Sequence, residues 1–299
     1  MKKLLILFVI IPIFGFSQIS ERKQSEIVHI GKYNKGLTDY VMLERWNDNE
    51  IVVRFKNVKY EVITDYESFS FKDVDGAYDY FYKTLAEGTT SLFQSEKTLE
   101  LPDEIIYINF QGSPLDMNAN ISVQSRTLNS KIDKLIPLNY NAINSIFGKG
   151  VLEKPKFQKE TDYTTFNLTT RNSVYSRIIK YDEKLFLHLR FMMFKSLSNI
   201  PTTILKGGKT TIILDNGDSI VLLNDRKIES CLGCGSIGLS GSSTYGINTV
   251  YELSNDNINK LRNNKIVKYS IETEDGLIEN ELKPKKQEEF KKNLQTILD

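Results

Sequence analysis

Histidine and cysteine are scarce in this 299-residue chain, with two of each: His29, His188, Cys231 and Cys234. Two thiols are too few for a disulfide scaffold or a four-thiolate metal site. Two imidazoles leave little room for a His-built metal or catalytic centre. An excess of one charge sign is missing too: 39 Lys and Arg stand against 38 Asp and Glu, a net +1. That balance gives no electrostatic ground for nucleic-acid binding, which shows as a basic domain or stripe. Beyond residue 16 there is no long apolar run, so no transmembrane segment is expected in the mature chain. What is present argues for a packed protein. Hydrophobic residues make up 40% and aromatics 11%, too rich for a disordered chain.

The first residues form a separate unit. Met1-Lys2-Lys3 precedes an apolar stretch from Leu4 to Phe16, interrupted only by Pro12 and Gly15. A basic start, a short apolar core and small residues at its end make a secretory signal peptide. Gly15 and Ser17 fit the −3 and −1 positions, which places the cut after Ser17 and the signal over residues 1–17, with a cut after Gln18 as the alternative. The alternative is an uncleaved anchor, but the run falls short of the roughly 20 apolar residues that span a bilayer. No cysteine follows the core, which argues against a lipid anchor. The expected mature chain is exported, periplasmic or secreted. Losing Lys2 and Lys3 leaves 37 basic against 38 acidic side chains, a charge of −1.

Hairpin signals run through the mature chain. Tyr40–Trp46 and Ile51–Phe55 flank a polar tip at residues 47–50, and further strands are expected at Lys59–Thr64 and Glu67–Phe71. Ala77, Tyr78, Phe81, Tyr82 and Leu85 then recur at helical spacing, with Asp73 or Asp75 as N-cap and Gly88 as the stop. Lys97–Leu101, Glu104–Phe110 and Ile121–Gln124 read as strands, and Asn141–Phe147 as a helix ending at Gly148. Residues 148–162, poor in apolar residues, read as a domain boundary or a long surface loop. Beyond it, Ser173–Tyr181 and Leu185–Phe194 read as strands, the second apolar on both faces and therefore central. Asn216-Gly217 predicts a type I′ hairpin turn between Thr210–Leu214 and Ser219–Leu223. A strand at Thr249–Leu253, a helix capped by Ser254, a hairpin over residues 266–282 and a helix opened by Pro284 complete the chain.

Leu138–Ile146 and Leu253–Leu261 share the pattern L-x4-I-N-x-[IL]. Together these signals predict an α+β fold with two similar units, 18–150 and 163–299. Each would be an antiparallel sheet of hairpins covered by one or two helices.

Tyr66-Glu-Ser-Phe-Ser-Phe71, the aromatic-rich helix after it and Ile143-Asn-Ser-Ile-Phe-Gly-Lys149 resemble uncharacterised secreted proteins of Bacteroidetes-type bacteria. Leu214-Asp-Asn-Gly217, the following Cys and Tyr251-Glu-Leu-Ser254 are similar to the same class. The resemblance implies secretion and no known activity, and it carries no functional residues.

Cys231-Leu-Gly-Cys234-Gly235 is the sharpest chemical feature. It admits a tight disulfide, free thiols, a redox pair or half a zinc ribbon. Export favours the disulfide. The glycines at 233, 235 and 238 argue against the following helix that would activate a redox thiol. Zinc lacks two further ligands. Residues 231–247 form a Gly/Ser-rich loop, either a connector or a partner-binding surface with Gly235, Gly238, Ser240, Gly241 and Tyr245 as candidate contacts.

Other motifs fail on spacing. Gly207-Gly208-Lys209-Thr210 lacks the first P-loop glycine and precedes a strand. Asp73-Val-Asp75-Gly76 places its glycine fourth, not sixth, for a calcium loop. Gly241-Ser-Ser-Thr-Tyr245 breaks the serine-nucleophile pattern, and His188, mid-strand, reads as a packed structural residue. The tyrosines of the first helix read as a core face with a polar rim, or as an aromatic peptide- or sugar-binding face. No catalytic residue, metal or cofactor is expected. The leading expectation is a non-enzymatic binding or envelope-associated protein, whose partner would be a protein, peptide or glycan. The alternative is a hydrolase of an envelope polymer built from an acid pair that sequence cannot identify.

Overall fold

The computed structural model describes residues 26–58, 65–127, 132–150, 152–168, 172–193, 202–232, 234 and 245–299. The signal segment and the expected strand Lys59–Thr64 lie outside them.

The first half is two antiparallel meanders. β1 (Val28–Lys35), β2 (Thr38–Trp46), β3 (Glu50–Lys56) and β4 (Tyr66–Lys72) pair in chain order and lead into α1 (Ala77–Thr89). β5 (Ser95–Glu100), β6 (Glu104–Ser113), β7 (Asp116–Ser125) and β8 (Ile132–Lys134) do the same and lead into α2 (Tyr140–Ile146). Period-2 alternation decides which face is buried. In register, Ile106 opposes Val123, Ile108 opposes Ile121 and Phe110 opposes Ala119, and all six are buried. Val41 with Phe55 and Leu43 with Val53 play the same part in the other sheet. Phe81 and Leu85 of α1 and Ile143 and Ile146 of α2 join both sheets in one core. Burying each large apolar side chain is worth ~1.5–3 kcal/mol.

The second half is threaded differently. It comprises β9 (Lys159–Glu160), β10 (Thr164–Leu168), β11 (Asn172–Tyr181), β12 (Lys184–Met193), β13 (Thr203–Ile204), β14 (Lys209–Leu214), β15 (Ser219–Leu223), β16 (Ile228–Glu229), β17 (Cys231–Leu232) and β18 (Tyr245–Glu252). α3 (Asn255–Asn263), β19 (Ile266–Thr273), β20 (Gly276–Glu281) and α4 (Pro284–Leu298) follow. One sheet runs β10-β11-β12-β18-β17 with β9 on β11; another runs β15-β14-β19-β20; β13 pairs β16. As the two apolar faces of its sequence require, β12 is central, between β11 and β18. Phe290, Leu294 and Ile297 of α4 enter the core of this half.

The expected α+β class is overturned. The described residues form twenty strands against four α-helices, and the sheets carry the fold. Helices do not cover the sheets as a layer: α1 buries only Phe81, Leu85, Gly88 and Thr89. Two strands are also longer than local signals suggest, with ten residues each in β6 and β7. The halves share the order sheet, helix, sheet, helix but not their strand threading. The β14–β15 hairpin is inserted between β12 and its partner β18, and among the described residues nothing comparable interrupts the first half. The shared L-x4-I-N-x-[IL] segments form α2 and α3, but α2 follows the second sheet of its half and α3 the first of its own. Their likeness is that of two capped helices. Asn139 Oδ1 accepts from Ala142 N at 2.9 Å, and Ser254 Oγ from Asn257 N at 3.1 Å.

Two further local expectations change. Gly88 does not stop α1; it lies inside the helix against the Phe110 ring. Asn216-Gly217 does not form a type I′ turn, because only Gly217 has positive φ, at 88°. Gly217 N donates to Leu214 O and Leu214 N to Asp218 O, a three-residue loop ending in a left-handed glycine. The two-residue turn with both φ values positive is instead Asp182-Glu183, at 49° and 58°.

The halves meet through a third apolar cluster, where Leu92 and Leu115 of the first pack with Ile179 and Phe186 of the second. Arg226 spans the same junction. Its guanidinium lies 4.7 Å from the Phe93 ring centroid and donates to the Gln94 carbonyl at 3.0 Å.

Candidate binding cleft

His188 is sealed into the sheet of the second half. In register, Arg177, His188 and Val250 stand side by side, as do Tyr175, Arg190 and Asn248. This face lies opposite the apolar face formed by Ile178, Leu187 and Leu189. Arg177 Nε donates to His188 Nδ1 at 3.1 Å, so the ring proton sits on Nε2, which donates to Asn248 Oδ1 at 2.9 Å. The same oxygen accepts from Arg190 Nε at 3.1 Å, and Asn248 Nδ2 donates to the Cys234 carbonyl at 2.6 Å. Arg190 also donates to Ser113 Oγ of the first half at 2.6 Å. Tyr163 closes the cluster, its ring centroid 4.7 Å from the Arg177 guanidinium and 5.0 Å from that of Arg190. Burial, then the two guanidiniums, hold His188 well below the usual imidazole range. Burial pushes the Tyr163 phenol up. His188 is fully buried, so this neutral imidazole ties β11, β12 and β18 together, and Arg190 beside it makes the bond to the first half.

Cys231 and Cys234 stand at disulfide distance, with Cα atoms 5.3 Å apart. The bridge closes a turn in which Cys234 N donates to Cys231 O at 3.3 Å. Of the candidate loop contacts, Gly235, Gly238, Ser240 and Gly241 lie outside the described residues. Tyr245 begins β18, half-buried, opposite Leu232 of β17. Gly207-Gly208 leads into β14, so no helix follows to face a phosphate. Neither Asp73 nor Asp75 is the N-cap of α1, which is Gly76; Asp73 pairs with Arg45 at 3.0 Å and accepts from Tyr78 N at 3.1 Å. Among the described residues no three His, Cys, Asp or Glu converge on a metal position.

The aromatic helix divides its work. Tyr78 OH donates to the Phe147 carbonyl and Tyr82 OH to Asn144 Oδ1, each at 2.9 Å. Their rings stack around Phe147, each centroid 5.3 Å from it. The Lys149 ammonium lies over both tyrosines. These two residues belong to the core rim. Tyr80 does not. It is 61% exposed and shares a helical face with Ala77 and Phe81, at i+3 and i+4.

That face borders a cleft of about 670 Å³. Phe71, Phe81, Leu99, Leu101 and Ile106 make its apolar wall, and Glu50, Lys72, Glu100 and Asp103 its charged lining. Val74, also 59% exposed, adds to it from the turn before α1. The cleft lies where two sheets end. Among the described residues β4 pairs only with β3, and β5 only with β6, so each has one unpaired side, and both line the cleft. Ser70 Oγ donates to Glu50 Oε1 at 2.6 Å, and Arg126 reaches Glu100 Oε2 at 3.0 Å. Sequence reasoning missed this site, because its walls come from β3, β4, α1, β5 and β6. The one local signal was Tyr80, an aromatic outside the Tyr78–Phe81–Tyr82–Leu85 stripe.

Compared with family models, with curated proteins and with solved structures, the chain matches none of them.

Proposed function

We propose that this is an exported, non-enzymatic binding protein whose ligand occupies the cleft between β4, α1 and β5. The cleft carries the reading. Its volume of about 670 Å³ lies within the ~300–1,000 Å³ of small-ligand sites, and its apolar walls with a few polar groups match their usual make-up. Solvent-exposed Tyr80 and Val74 at its border have no core role and are available to a partner. His188, the imidazole that an enzyme reading would recruit, is occupied in holding the sheet. Export is supported by the basic and apolar pattern of residues 1–17 and by a cysteine pair at bridging distance.

The test is native mass spectrometry of the full exported chain after incubation with an envelope extract. The expected result is a non-covalent adduct that Tyr80→Asp abolishes while the circular dichroism spectrum stays unchanged. Release of polymer fragments by the wild type, or an adduct indifferent to Tyr80→Asp, would overturn it.

A further inference from the structure

We infer that the cleft takes an extended, basic peptide segment, which adds as a strand along Ser68–Lys72, the stretch of β4 whose outer side pairs with no described strand. The inference rests on the binding reading above and names the ligand class. An unpaired strand side presents a row of N–H and C=O groups at strand spacing, a ready template for another chain. β4 and β5 both present such a side, but they differ in chemistry. β5 carries Glu96, Lys97 and Glu100, all exposed, which is how proteins blunt an edge. The centre of β4, from Ser68 to Phe71, carries no charge.

Side-chain chemistry specifies the rest. A strand added to β4 directs alternate side chains to one face, and that face meets the apolar wall of Phe71, Phe81 and Leu99. The charged lining holds three carboxylates, Glu50, Glu100 and Asp103, against one ammonium, Lys72. Arg126 already takes Glu100. Glu50 accepts only a neutral hydroxyl, from Ser70, and no cation pairs with Glu50 or Asp103 among the described residues. A peptide of alternating β-branched residues with Lys or Arg at its ends complements this lining in shape and in charge.

The probe is the blocked hexapeptide KVTVTK, compared with EVTVTE and with KVTVTK N-methylated at both valines. Hydrogen exchange of the full exported chain is read at each amide. The expected result is slower exchange at amides of Ser68–Lys72 with KVTVTK, and none with the N-methylated peptide, whose strand bonds are blocked. EVTVTE should bind about tenfold more weakly, the change that ~1.4 kcal/mol gives. Glu50→Lys combined with Asp103→Lys should reverse that order. Unchanged β4 exchange with KVTVTK overturns the inference, and so does an order indifferent to the charge reversal. If the envelope adduct still depends on Tyr80 in that event, the cleft binds another chemistry and the binding reading stands alone. If no adduct forms either, both fall.

Discussion

Gly88 and Phe110 meet with no room for a methyl group. A Cβ on Gly88 would lie 2.3 Å from the Phe110 ring, which is completely buried and cannot swing aside. On an exposed helix Gly→Ala stabilises by ~1 kcal/mol. Here overpacking opposes that gain at ~1–3 kcal/mol. Gly88→Ala should therefore lower stability, and Gly88→Ala combined with Phe110→Leu should recover part of the loss. Urea denaturation midpoints of the two variants decide it. A stabilised single variant would show that the helix and β6 are not in contact.

His188 makes stability depend on pH, with a definite sign. Its folded pKa is held well below the unfolded value, which is ~6.5. Above that value both states are neutral there, and the stabilising contribution is complete. Below it the unfolded chain binds a proton that the folded chain refuses, so stability falls as pH falls, by up to ~1.4 kcal/mol per pH unit. The window opens near pH 6.5 and continues downward. His188→Gln keeps an acceptor for Arg177 and a donor for Asn248 without the titration. It should flatten the dependence between pH 7 and pH 5, where carboxylates contribute least. Denaturation curves across that range test this, and an equal slope in both proteins would show that His188 is protonated in the fold.

Where a local signal and a tertiary contact agreed, the sequence was legible. Tyr40–Trp46 and Ile51–Phe55 alternate, and they pair as β2 and β3. Leu185 onward is apolar on both faces, and β12 is central. Ser254 reads as a cap and acts as one. Where a distant partner decides, the sequence was silent. Gly88 reads as a helix stop until Phe110 is seen against it. The strand pairing β12 with β18 spans the inserted β14–β15 hairpin, and no periodicity encodes such a partner choice. The balance of strand over helix was misjudged for the same reason: β1, β8 and β10 are weak alone and form because a neighbour completes their ladders. The cleft belongs to this class, since residues from 50 to 106 line it and its open edges exist only once the sheets are assembled.

The cysteine bridge should contribute little to stability. It closes a turn with a sequence separation of three, and chain entropy for so short a loop gives ~2 kcal/mol or less. Cys231→Ser with Cys234→Ser should lower stability by no more than that and leave the Asn248 bond to the residue 234 carbonyl in place. Intact mass of the exported protein checks both processing and bridging. The expected species begins at Gln18 and takes up alkylating agent only after reduction. A chain beginning at Met1, or thiols that alkylate without reductant, would overturn one or the other.

Arg226 and Phe93 should be energetically coupled across the junction of the halves. The guanidinium stacks at 4.7 Å from the ring centroid, and the ring in turn lies edge-on to Phe186 at 6.3 Å. A partly exposed cation over an aromatic face is worth ~0.5–1 kcal/mol. Arg226→Ala also removes the donor to the Gln94 carbonyl, another ~0.5–1.5 kcal/mol. Phe93→Leu leaves that hydrogen bond untouched. A double-mutant cycle of Arg226→Ala and Phe93→Leu separates the two terms, because only the stacking energy is shared. The expected coupling is ~0.5–1 kcal/mol, with the remaining Arg226 loss unchanged in the Phe93→Leu background. Strict additivity would mean that the stacking contributes nothing and that the Gln94 hydrogen bond and the cluster of Leu92, Leu115, Ile179 and Phe186 join the halves.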